Sequence, residues 1–238
     1  MVDYGYAKTG WKDRLTSYDG GAITYDSVGN PIYYRGHNLK WDRVRLLKQW
    51  DNLSFSYNAN GIRTRKGDIY YELDGSNIIS ETKYNNTIRY YYSNSGLIGF
   101  RYNNEYYYYE KNLQGDITGI YDNNANLVGS YIYDAWGNCT ITTNIDNIAG
   151  INPFRYRSYY YDNETGLYYL KSRYYDPKVA RFINADEIEH LGANNDLCSY
   201  NLFAYCGNNP SIRKDAGGNI WFVSAIIGLA TQYASDVI

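Results

Sequence analysis

A short phrase, Tyr-Asp-x-x-Gly, keeps returning along this chain in variant form, and a recurring turn of this kind constrains the fold more than any other feature. It stands at Tyr25-Asp26-Ser27-Val28-Gly29, Tyr57-Asn58-Ala59-Asn60-Gly61, Tyr92-Ser93-Asn94-Ser95-Gly96 and Tyr133-Asp134-Ala135-Trp136-Gly137. Tyr121-Asp122-Asn123-Asn124-Ala125 and Tyr161-Asp162-Asn163-Glu164-Thr165-Gly166 complete the series, at irregular spacings that leave room for strands between copies. Each copy reads as a hairpin. The aromatic residue ends one strand, Asp or Asn hydrogen-bonds the backbone of the turn, and Gly takes the positive-φ position before the next strand.

The flanking segments have the composition that strands need. Residues 69–73, 88–92, 106–109 and 127–133 are rich in aromatic and β-branched side chains and contain no proline. Tyrosine weighs most here: 32 of 238 residues, against six phenylalanines and one methionine, suit half-buried strands rather than ordinary helices. An all-β chain is expected, with most of residues 20–180 in one open, curved antiparallel sheet. Helix is expected only in short pieces after about residue 184, one of them around 186–192.

Composition also excludes functions. With 23 basic and 25 acidic residues there is no global field to draw in nucleic acid or an anionic membrane. Cys139, Cys198 and Cys206 are an odd set without a CxxC pair, so neither a disulfide scaffold nor a metal site is indicated, and no cofactor is implied. His37 and His190, the two histidines, sit in no Ser/His/Asp or Cys/His pattern. The first residues show no basic segment followed by an apolar one, so no signal peptide is read in this chain. The apolar run of residues 219–230 is too short to span a bilayer and reads as a buried helix or strand.

From Ile151 the texture changes. Residues 155–182, RYRSYYYDNETGLYYLKSRYYDPKVARF, hold eight tyrosines and four arginines. They read as a wall of large side chains, with Arg155, Arg157, Arg173 and Arg181 stacked on rings and bridging strands. An anion site built from the same arginines is the alternative.

The turn series, together with Asn152-Pro-Phe-Arg-Tyr-Arg157, Tyr161-Asp162-x-Glu164-Thr165-Gly166-Leu167-Tyr168-Tyr169, Ser172-Arg173-Tyr174-Tyr175-Asp176-Pro177, Arg181-Phe182-Ile183 and Tyr200-Asn201-x-Phe203-x-Tyr205-x-x-x-Asn209-Pro210, resembles the C-terminal end of Rhs/YD-repeat proteins. The resemblance covers nearly all of residues 20–220. It implies a YD-repeat sheet over 1–150, an Rhs-repeat-associated core over 151–219 and the start of a variable C-terminal region over 220–238. It further implies a fragment of a spiral β-shell, secreted or displayed on a cell surface as part of a larger protein, that encloses a C-terminal toxin. Its partners would be the upstream shell and that toxin. A strand edge within residues 9–25 that lacks charged or proline devices adds an expectation of self-association.

Two other functions stand beside the shell. One is a carbohydrate-binding or adhesive surface module, since exposed tyrosine and tryptophan rings stack on sugars. The other is enzymatic. In the family, an Asp-Pro after the Arg-Phe-Ile segment and a second Asp-Pro-x-Gly after the Asn-Pro segment are understood to form an aspartic-type pair that cuts the chain just beyond the second motif. Asp186 and Asp215 occupy those positions here, but both prolines are missing and residues 188–197 look like an insertion. Self-cleavage near residues 218–220 is therefore set against a turn-capping role for both aspartates.

Overall fold

The computed structural model describes residues 2–187, 189, 191–192, 197–215, 217–219 and 221–223, and about half of the chain is strand. Sixteen antiparallel strands, from β1 (Tyr4–Tyr6) to β16 (Cys139–Asn144), follow one another in space in the order in which they follow in sequence. The result is a long meander whose two end strands do not meet, an open curl rather than a closed barrel.

The recurring turn explains both the strand order and the curl. At the 26–30 turn, Asp26 Oδ1 accepts the N–H groups of Val28 and Asn30 at 3.0 and 2.9 Å, and Oδ2 accepts Nδ2 of Asn30 at 2.8 Å. Asp122 with Asn126, and Asp134 with Asn138, repeat all three bonds. The tyrosine before the turn Asp or Asn pairs with the residue six positions on, as in Tyr25↔Pro31, Tyr57↔Arg63 and Tyr121↔Leu127, each with a register shift at that tyrosine. These bulges add local twist, and the twist accumulates into curvature. The repeat tyrosines also hold the sheet internally, since the hydroxyls of Tyr57, Tyr92 and Tyr133 donate to the carbonyls of Leu47, Ile78 and Ile117.

Two turns depart from the sequence reading. Tyr92 precedes a tight hairpin in which Ser93 pairs directly with Gly96, so it shares the phrase but not the geometry. Asn112-Leu113-Gln114-Gly115-Asp116 builds the full turn without a tyrosine in front: Asn112 Oδ1 accepts from Gln114 and Asp116, and Lys111 takes the bulge position.

Helix also begins earlier than expected. A 3-10 turn (Ile145–Asn147), the single-turn helix α1 (Ile148–Ile151) and a second 3-10 turn (Tyr156–Ser158) all precede residue 184. Here α1 buries Ile148 and Ala149, and Tyr131 of β15 (Leu127–Tyr133) donates its hydroxyl to the Ala149 carbonyl at 2.8 Å. The helix expected over 186–192 falls partly outside the described residues, as do His190 and most of the apolar run 219–230.

The 155–182 stretch is not wall. It forms a small four-stranded sheet of β17 (Tyr160–Asp162), β18 (Leu167–Tyr169), β19 (Tyr174–Asp176) and β20 (Arg181–Phe182), which sits inside the curl as a plug. Paired tyrosines supply both of its faces. Tyr160, Tyr169 and Tyr174 join the main core with Leu47, Phe55, Ile88 and other wall residues. Their neighbours Tyr159, Tyr168 and Tyr175 point the other way, into a second cluster with Phe182, Tyr205 and Cys206. A strand buried on both faces needs large side chains at every position, which is why tyrosines come in runs here.

Candidate functional site

Asp215 ends β21 (Arg213–Asp215), which pairs with β22 (Trp221–Val223). The turn between them resembles the wall turns. Asp215 Oδ1 accepts the N–H groups of Gly217, Gly218 and Asn219 at 3.2, 2.6 and 3.2 Å, and Gly218 takes a left-handed φ of 85°. In the 122–126 and 134–138 turns, the second carboxylate oxygen is held by the closing asparagine. Asn219 instead turns its amide oxygen to Ser172 Oγ at 2.6 Å, and Asp215 Oδ2 faces Arg173 Nη2 at 3.8 Å. Asp215 is also buried, whereas Asp122 is only half-buried and Asp134 is exposed.

Asp186 lies at the end of the plug, where the backbone N–H groups of Ala185 and Asp186 bond the carbonyls of Gly29 and Leu202. Its Oδ2 meets the same Arg173 Nη2 at 2.8 Å. The two candidate carboxylates are therefore brought to one cation, and their oxygens lie closer together than the sum of those two distances. Arg173 itself is buried. Its guanidinium lies 3.6 Å from the Phe182 ring centroid, Nη1 donates to the Leu202 carbonyl at 2.9 Å, Nε donates to the Gly218 carbonyl, and Nη2 reaches the Asn219 carbonyl at 3.4 Å.

Electrostatics at this cluster pull in opposite directions. Burial pushes the Asp215 carboxyl above its ordinary value and the nearby Asp186 adds to the rise, while Arg173 and the turn N–H groups oppose it. Burial also lowers the Arg173 pKa, against the pull of both carboxylates, and an arginine remains cationic under such shifts. The missing first proline has a direct consequence. Glu187 stands in its place, and the backbone N–H that a proline would lack donates to Asp186 Oδ1 at 2.8 Å. A groove of about 830 Å³, lined by Arg43, Arg45, Lys171, Asp186, Glu187 and Asn219 among others, opens beside the cluster and gives water a route to it.

The remaining arginines of the dense run stack as expected. Arg155 lies over Tyr161 at 4.6 Å, Arg157 over Tyr156 at 4.8 Å and Arg181 over Phe203 at 5.0 Å. The four described tryptophans are buried or half-buried, so none contributes to an exposed row of rings. Cys206 is buried and Cys139 half-buried, both as free thiols. His37 pairs with Asp51 at 2.7 Å near the surface. Among the described residues no cluster of three metal-binding side chains occurs, and no helix is long and apolar enough to cross a membrane.

Sequence reasoning missed a fully buried ion pair, the shortest among the described residues. Arg63, at the start of β8 (Arg63–Lys66), is completely buried and grips Asp162 of the plug with two bonds, Nη1–Oδ2 at 2.6 Å and Nη2–Oδ1 at 3.0 Å. Lys66 adds contacts of 3.1 Å to Asp162 and 2.8 Å to Glu164. The rings of Tyr169 and Tyr160 lie 4.2 and 5.0 Å from the guanidinium carbon. Burial would raise the Asp162 carboxyl, but Arg63 and Lys66 prevail and hold it below its ordinary value. Nearby, burial raises the carboxyl of Glu81, which accepts a bond from the Tyr160 hydroxyl.

A sheet of sequential YD-type hairpins folded round a tyrosine-rich plug is also what comparison with known proteins returns. The teneurin YD-shell family matches residues 76–211. The chain belongs to that family, and it is an Rhs/YD-repeat protein. It is similar to the tRNA nuclease WapA of Bacillus subtilis strain 168, with 34% identity over 228 residues, 89% of this chain and 10% of that protein. The chain thus spans about a tenth of the length of the WapA relatives that it matches. Its fold is similar to the crystal structure of TcdB2-TccC3 without the hypervariable C-terminal region, with a TM-score of 0.59 at 18% identity, covering 91% of this chain and 13% of that one. A Tc holotoxin pore structure from Photorhabdus luminescens gives 0.59 at 19% identity, covering 84% of this chain and 10% of that one. At those identities the likeness is one of fold.

Proposed function

We propose that this chain is the closing end of a YD-repeat shell that encapsulates and delivers a C-terminal effector. The observation that carries the reading is the plug, buried on both faces within the curl of the wall and running on into the 217–219 turn. In this reading residues 1–150 are wall, 151–219 are the closing core and 220–238 begin the effector side. The β1 edge continues an upstream shell, the toxin follows residue 219, and the assembly works outside the cell or at its surface. An effector beyond the matched segment fits relatives named as nucleases of which this chain covers only a tenth. Protease protection tests it. Fused between upstream YD repeats and a reporter domain placed after residue 238, the shell should shield the reporter. A reporter digested as fast as the free domain would refute encapsulation. The same open edge would let this chain self-associate, and sedimentation showing a monomer at every concentration would remove that part. The edge lies at Tyr4–Tyr6, since the strands within residues 9–25 are paired on both sides.

A second reading is favoured by one cluster: Asp186, Arg173 and Asp215 converge on the Gly218 and Asn219 carbonyls. We infer that this pair of carboxylates supports aspartic-type self-cleavage near residues 218–220. Mass measurement of the purified chain, with Asp215→Asn as the uncut control, is the test. An intact wild type across acid and neutral pH would leave both aspartates with structural roles alone.

A further inference from the structure

A cavity of about 180 Å³ lies between the wall and the plug, where the 75–76 hairpin meets the 170–173 turn. Buried Ile78, Leu97, Phe154 and Leu170 give it apolar sides, joined by the rings of Tyr159 and Tyr160. Arg157, Lys171 and Lys214 line it too, and no acidic residue stands among its described lining. We propose that this cavity binds a small organic carboxylate, with the ring or short chain of the ligand between the apolar sides and its charged group held by Lys171 and Lys214.

The cations are short of partners. Lys171 Nζ donates to Ser76 Oγ at 2.7 Å and reaches Asn77 Oδ1 at 3.4 Å, and both acceptors are neutral. The Lys214 ammonium lies beside Gly115 and has no hydrogen bond or ion pair among the described residues. Arg157 is buried, and its Nε has no hydrogen-bond partner. Burial lowers the pKa of Lys214 and Arg157 lowers it further, while Asp116 opposes them. Asp116 is already engaged, since Oδ1 accepts the Arg157 N–H at 2.8 Å and Oδ2 accepts Asn112 Nδ2 at 2.7 Å. Nearby, Lys111 donates its ammonium to the Leu97 carbonyl, and burial and Lys214 together lower its pKa. A carboxylate brought among these groups relieves their repulsion and accepts charge-assisted hydrogen bonds, which are about twice as strong as neutral ones.

Size and polarity narrow the ligand. An apolar cavity of about 150 Å³ accepts benzene, so this one suits a ring or short chain that carries a single charged group. Drug-sized molecules occupy pockets of about 300 Å³ and more. A bare inorganic anion would leave the apolar sides uncovered. Entry is from the 75–76 hairpin, where Asn77 is exposed and Ser76 and Lys171 are half-buried.

The test is calorimetric titration of the full 238-residue chain with benzoate and hexanoate, against benzyl alcohol, acetate and inorganic phosphate. Benzoate or hexanoate should bind one to one. It should bind about ten-fold or more tighter than benzyl alcohol, which lacks the charge, and than acetate, which lacks the apolar body. Lys171→Met and Lys214→Met, checked for native circular dichroism, should each weaken that binding about ten-fold and leave benzyl alcohol unchanged. Failure of both acids to saturate at millimolar concentration, or wild-type affinity in either variant, would overturn the proposal. Phosphate binding as tightly as the acids would overturn it too, by showing a plain cationic patch. Should the variants fail to fold, the amide resonances of the wild type decide. Shifts on adding benzoate that centre on Ile78, Leu97 and Leu170 support the site, and shifts confined to other residues refute it.

Discussion

Asp162→Asn isolates what the buried charge cluster contributes. The substitution keeps the side-chain volume but leaves Arg63 and Lys66 facing a neutral amide, and both cations are almost wholly inaccessible to solvent. Lys66 retains Glu164, which is itself 45% exposed, whereas Arg63 has only neutral hydroxyls and rings left around it. Removing one partner of a buried pair costs about 3–5 kcal/mol, a large share of a typical stability of about 5–15 kcal/mol. With a urea slope of roughly 2–3 kcal/mol per M, the midpoint should fall by on the order of 1–2 M. The pH dependence has a definite sign. The carboxyl is depressed in the folded state, so its contribution is complete above the unfolded value of about 3.9 and is lost as pH falls through the folded value. Wild type and Asp162→Asn should therefore converge in acid. A double variant, Arg63→Met with Asp162→Leu, should recover more than half of the loss, because no charge is left unpaired. A neutral-pH loss below about 1 kcal/mol for Asp162→Asn, or a gap that persists unchanged in strong acid, would refute the reasoning.

Other outcomes follow from single contacts. Ala125 holds a left-handed φ of 61° at the position where sister turns carry glycine, so Ala125→Gly should raise stability by about 0.5–1 kcal/mol in thermal or urea unfolding. Leu47 is fully buried in the main core, and Leu47→Ala should cost about 2–5 kcal/mol by the same measurement. The Tyr34 hydroxyl donates to Asp176 of the plug at 2.9 Å, and Tyr34→Phe should cost about 1–3 kcal/mol. The Glu81 carboxyl is raised by burial, so its effect runs opposite to that of Asp162: stability is fully present below the unfolded value and falls as pH rises through the folded one. Glu81→Gln should flatten that slope between weakly acid and neutral pH.

The wall was legible because its information is local. A turn acid bonds the backbone of its own next four residues, and strand composition flanks it on both sides. The 112–116 turn escaped notice only because Lys111 stands where tyrosine stands elsewhere, although the bulge needs no ring. The plug was misread as wall for a different reason. Tyrosine suits a half-wet face and a dry one, so a run of tyrosines does not say whether one side of a strand is buried or both. The basic segment Arg63-Thr64-Arg65-Lys66 looks like a solvated edge, and its burial is decided by Asp162, about a hundred residues away. At the candidate site, motif position points to Asp186 and Asp215, while the sequence offers Arg173 only as a ring-stacking and strand-bridging residue or as part of an anion site. Nothing within its own segment shows that the 217–219 turn comes to lie against it.

The strict sequential order of the wall has a kinetic consequence. Each hairpin closes over a few residues, so the curl can grow strand by strand as the chain emerges, in the manner of a one-dimensional array. Arrays of that kind also fray piece by piece. The plug contacts are of another sort, joining Tyr18 to Lys178, Arg35 to Asp176 and Arg63 to Asp162 across 99 to 160 residues of chain. They cannot form until the strands on which they land exist, and once formed they tie early hairpins to late ones. Loss of any one hairpin then weakens the hold on all the others, so a structure assembled in small steps comes apart as a single unit.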